Sequence, residues 1–119
     1  MFITFNQFLK KQYEKRCENA EVRAAYQQAG GFNEFKKNYV SGHHFAEYFE
    51  TLRGMTLTAL QTYHIAKMLV DHGGRKAAEI PGIISQTCRY YSIELPTVYG
   101  ILTVEYWQER FEPKQAASV

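Results

Sequence analysis

At 119 residues the chain can bury one core without metal or disulfide staples, and it reads as a single domain over 1–112 with a frayed tail at 113–119. It has no apolar run of bilayer-spanning length and no basic lead-in followed by a leader-like core, so the expectation is a cytoplasmic protein outside the membrane. The formal charge of +2 excludes a strongly basic binder of polyanions, although the charge is uneven: residues 1–93 hold 12 Lys/Arg against 8 Asp/Glu, and residues 94–119 hold 2 against 4.

In chain order, Phe5, Phe8, Leu9 and Tyr13 fall at helical spacing, and Thr4 with Gln7 forms a capping-box pattern, predicting a helix to about Arg16. Asn19 is placed to cap a second helix, Ala20 to Gln28, which Gly30-Gly31 ends. A short amphipathic piece runs from Phe32 to Tyr39 and breaks at Ser41-Gly42. His43 to Leu52 then puts Phe45, Tyr48, Phe49 and Leu52 on one stripe. Thr58 with Gln61 opens a helix to about His72, closed by Gly73-Gly74. From Pro96 to Trp107 the β-branched residues favour a strand. Pro96 also suits a first helical turn, with Val98, Leu102, Tyr106 and Glu109 on one side, and helix is the reading preferred. The fold class expected is all-α, a small multi-helix domain.

Between these elements lies Gly73 to Tyr91, GGRKAAEIPGIISQTCRYY. Two short helices crossing steeply need a small residue at their contact, a glycine of positive φ four residues on, and apolar anchors after it. Ala78, backed by Ala77, Gly82, Ile83, Cys88 and Tyr91 satisfy that pattern. Ser85, Gln86, Thr87, Arg89 and Tyr90 are then free to face outward, where Gln suits an adenine edge and Arg a guanine edge or a phosphate. A second register, Ser92 to Leu102 with Cys88 as the small residue, competes with lower rank.

Gly-Gly, the basic pair, Ala-Ala, Gly-Ile and the Thr after them resemble the helix-turn-helix of Fis-type nucleoid proteins and NtrC-type activators. Gln61 to Asp71 is more loosely similar to the helix before the reading unit of KorA-type repressors. The likeness covers residues 58–91. It implies phosphate and base contacts from the second helix, at Ser85, Gln86 and Arg89. The expectation is a DNA-binding regulator in which Thr58–His72 supports the unit, Arg75 to Ile80, beginning with the basic pair Arg75 and Lys76, crosses the backbone, and Ser85 to Tyr91 enters the major groove. Pro81 stands where that family usually has an apolar helix former, and the second helix carries a single Arg. The partner is then double-stranded DNA, and the aromatic N-terminal half is expected to make a homodimer, since one short module rarely binds tightly enough alone.

The alternative is a protein-binding adaptor or inhibitor of the kind mobile elements carry, without nucleic-acid activity. Its sticky surface would be Phe32, Phe35, Tyr39, Phe45, Tyr48 and Phe49, and its partner a host protein. No enzyme is expected, because no nucleophile sits with a base and Gly73-Gly74-Arg75-Lys76 lacks the spacing of a phosphate loop. No cofactor or metal is expected either. His44 and Glu47 share a helix face, but no second pair matches them. Cys17 and Cys88 read as reduced thiols.

Overall fold

Thr4 opens α1 (Phe5–Arg16) with the box its sequence announces: its hydroxyl accepts the Gln7 N–H at 3.1 Å, and the Gln7 side chain accepts the Thr4 N–H at 2.8 Å. Asn19 caps α2 (Ala20–Gln28) by accepting from Glu21 and Val22. Gly30 and Gly31, both at positive φ, turn the chain into α3 (Gly31–Tyr39), and α4 (Gly42–Thr51) follows. The computed structural model describes residues 2–39 and 42–112. The expected break at Ser41 and the tail 113–119 lie outside them, as do the side chains of Asn38, Tyr39 and His43.

The chain divides into two compact units, Met1–Thr51 and Leu52–Val119. In the first, α1 is the spine of two aromatic clusters. Phe5 and Phe8 meet Tyr48 at 5.3 and 5.7 Å, and Phe5 meets Phe45 at 5.1 Å, which fastens α4. One turn further on, Tyr13 meets Tyr26, Phe32 and Phe35 at 5.5, 5.4 and 5.2 Å, which fastens α2 and α3. Helical spacing puts the α1 rings on one stripe, and packing against α2, α3 and α4 turns that stripe inward, where aromatic rings bury large areas.

The second unit starts from α5 (Ala59–Asp71), capped by the reciprocal Thr58–Gln61 bonds. Ile65, Ala66, Met68 and Leu69 are buried along it. Thr62, also buried, donates its hydroxyl to the Thr58 carbonyl and so leaves no polar group unpaired. Gly74 at φ 65° lets the Arg75 N–H return to the Leu69 carbonyl, closing the helix. A 3₁₀ turn, Ala77–Glu79, leads into α6 (Ile80–Tyr90). Beyond it, Glu94 and Met55–Leu57 exchange backbone hydrogen bonds in a single parallel bridge. Residues 96–103 form no helix, contrary to the reading preferred from sequence, and a turn runs over 99–102. Gly100 holds φ 80°, outside helical space, and Thr103 caps the helix that does form, α7 (Val104–Phe111). Trp107 is fully buried and donates its indole N–H to the Ile101 carbonyl at 2.8 Å. The described residues are thus all-helical, with seven α-helices, one 3₁₀ turn and no strand. No helix among them is long and apolar enough to cross a membrane.

Burial pushes the Cys88 thiol from its ordinary value of 9.0 up to about 11. A thiol that holds its proton more tightly when folded stabilises the fold below the unfolded pKa, and that contribution is lost as pH rises through the folded one. The second unit is therefore expected to lose about 2 kcal/mol between pH 9.0 and about 11. Cys88→Ala should flatten that limb of a urea-midpoint profile measured against pH.

Candidate interaction surface on α6

The sharp turn expected at Gly82 is not formed. α6 runs unbroken from Ile80 through Pro81 and Gly82 to Tyr90. Pro81 sits in the first turn, where its missing N–H breaks no intrahelical bond and its fixed φ suits the helix. Gly82 is not among the glycines at positive φ, and a Cβ built on it meets nothing within 4 Å. Ala78, expected at the helix contact, is exposed, and Ala77 is the residue packed inside. The lower-ranked register over Ser92 to Leu102 forms no helix at all. The corner that does exist lies one helix earlier, where His72 to Lys76 joins α5 to the 3₁₀ turn and α6.

A glycine inside a helix costs about 0.5–1 kcal/mol relative to alanine, whereas alanine at a positive-φ turn is strained. Gly82→Ala is therefore expected to raise stability by a few tenths to about 1 kcal/mol. A fall in the thermal or urea midpoint would restore the bent unit.

Ile80, Ile84 and Cys88, spaced by four, are buried and hold α6 down. At 100° per residue the opposite stripe carries Gly82, Gln86 and Arg89, all exposed, with Tyr90 at one edge and half-buried Ser85 at the other. Thr87 lies half-buried near the inward side. Arg75 and Lys76 are exposed at the N-terminal approach to this helix, with about 14 Å of helix between its start and Arg89. The structure therefore groups Gln86, Arg89 and Tyr90 but leaves Arg75 and Lys76 apart. Arg75 is paired with Glu79 at 3.6 Å, and the Glu79 carboxylate also accepts the Lys76 N–H.

Tyr90 is 73% exposed, yet its ring is not free. It stands edge-on to Tyr91 at 4.8 Å, the Arg53 guanidinium lies over Tyr91 at 5.2 Å, and the Tyr91 carbonyl accepts the Gly54 N–H. This ladder holds the Tyr90 ring out from the end of α6.

Electrostatically the surface is thin. Residues 52–119 hold seven Lys/Arg and six Asp/Glu. Lys67 is paired with Asp71 at 3.0 Å, and Arg110 lies 3.4 Å over the Tyr106 ring. No carboxylate lies on α6. Among the described residues no ion pair or hydrogen bond engages the Arg89 side chain.

The aromatic side chains expected to form a partner surface, Tyr39 aside, pack against one another. Phe35, Tyr48 and Phe49 are buried, and Phe32 and Phe45 are half-buried against neighbouring rings. Among the described residues, the large hydrophobic side chains that stand exposed are Leu60 at 65%, Tyr90, Tyr99 at 101% and Leu102 at 50%. Of these, only Tyr90 is among the site residues that the sequence suggests; the Tyr99-Gly100 pair is a turn signal that marks the exposed Tyr99. Among the described residues no three His, Cys, Asp or Glu side chains gather as they would around a metal ion.

No family model, no curated protein and no solved structure matches this chain.

Proposed function

We propose that this chain is a small helical protein-interaction module, not an enzyme, whose working surface is the outward end of α6. The observation that carries the reading is Tyr90, exposed yet braced by Tyr91 and Arg53, beside an unpaired Arg89. Tyr and Arg are the side chains that dominate binding energy at protein interfaces. A ring already held in place loses little further freedom on binding. A photo-crosslinking phenylalanine analogue at Gln86 tests it. The expected result is a covalent adduct to protein that disappears in Tyr90→Ala and Arg89→Ala. Adduct yield indifferent to both changes would remove the proposal.

A second reading, the DNA-binding regulator, is favoured by one feature: Gln86 and Arg89 share an outward stripe on a helix without carboxylates. It no longer rests on a turn at Gly82, and α6 as a whole would enter the groove after the α5–α6 corner. With so few unpaired cations, such binding would neutralise roughly two phosphates and weaken only mildly with salt. Duplex retention at two salt concentrations, lowered by Arg89→Ala, would support it, and an adduct to nucleic acid from position 86 would bring it ahead.

A further inference from the structure

We infer that the α6 surface is occupied by the α7 face of a second copy of this chain. The inference rests on the interaction-module reading and supplies its partner. On α7, Glu105 and Glu109 are exposed, one helical turn apart, and point away from the buried Trp107. Among the described residues neither carboxylate makes an ion pair or hydrogen bond. The cation of the same helix, Arg110, is turned onto its own Tyr106, over the ring and donating to the carbonyl at 2.7 Å. The α6 face is the complement: Arg89 without a counter-charge, on a helix without an acid.

Shape and polarity agree with the charges. Carboxylates at i and i+4 lie about 6 Å apart at their Cβ atoms, within the span one guanidinium fork can engage. Of the four large hydrophobic side chains exposed among the described residues, three stand near these charges in sequence: Tyr90 next to Arg89, and Tyr99 and Leu102 in the turn that leads into α7. Each face thus offers an unpaired charge next to an apolar anchor, in opposite senses. That is the composition of a contact in which Arg89 of one copy reaches Glu105 and Glu109 of the next while Tyr90 covers Leu102. Reciprocal pairing closes a dimer, and one-way pairing builds a chain of copies.

Sedimentation of the full chain over a concentration series tests this. The wild type should gain mass with concentration at low salt and lose that gain at high salt. Arg89→Glu alone, and Glu105→Lys with Glu109→Lys alone, should each weaken self-association about tenfold or more. An equimolar mixture of the two variants should restore it, because their swapped charges again match. These residues are exposed, and unchanged far-ultraviolet circular dichroism will show that each variant is folded. A wild type monomeric throughout, or self-association that survives Arg89→Glu, overturns the inference. If the chain is monomeric while position 86 still captures a protein in an Arg89- and Tyr90-dependent way, the interaction-module reading stands and only this partner falls.

Discussion

Trp107→Ala is expected to remove about 3–5 kcal/mol from the second unit, the largest single effect of any change in it. The indole is fully buried, stacks on Phe111 at 5.9 Å and meets Tyr106 edge-on at 4.6 Å. Phe111 in turn stacks on Tyr63 of α5 at 5.6 Å, so the indole backs a stack that joins α7 to α5. Removing it leaves a cavity that rigid helices cannot fill and strips the Ile101 carbonyl of its donor. A unit of this size has only roughly 3–10 kcal/mol of stability, so the variant should keep a small part of it. Trp107→Phe separates the two terms. It keeps most of the apolar area but not the hydrogen bond, and should cost about 1–3 kcal/mol. Urea titration followed by circular dichroism gives the order, and a Trp107→Ala midpoint within error of wild type would show that α7 is not packed as described.

Tyr48→Ala is expected to have a similar effect, about 3–5 kcal/mol, on the first unit. The ring is fully buried among Phe5, Phe8 and Phe49, and its hydroxyl donates to the Ile3 carbonyl at 2.6 Å, tying α4 to the segment before α1. Tyr48→Phe isolates that tie and should cost about 1–2 kcal/mol. Burial also raises the Tyr48 hydroxyl above its ordinary value of 10.0. Its protonated, hydrogen-bonded form therefore stabilises the unit below that value, and the contribution is lost as pH climbs through the folded one. The alkaline limb of the first unit should accordingly be shallower in Tyr48→Phe. An unchanged limb would mean that the hydroxyl is solvated.

Much of the helical scaffold was legible because its signals are local. The Thr4–Gln7 and Thr58–Gln61 boxes and the Asn19 cap each concern a few neighbouring residues whose bonding options are the same in any fold. The Gly73-Gly74 stop belongs with them. The segment after Pro96 was harder, since both Pro96 and Thr103 can open a helix. Gly100 in left-handed space decided for the later one.

By itself, the sequence determined that this is a helical protein, where most helices begin and end, and that its rings lie on stripes, because capping and periodicity act over one or two turns. Only the tertiary structure decided whether Gly82 bends the chain or continues a helix, since burial of Ile80, Ile84 and Cys88 on one line holds α6 straight. It likewise decided that Tyr48 and Phe49 face inward while Tyr90 and Tyr99 face out. An amphipathic stripe looks alike whether a core or a partner covers it, and only the packing of distant helices tells the two apart.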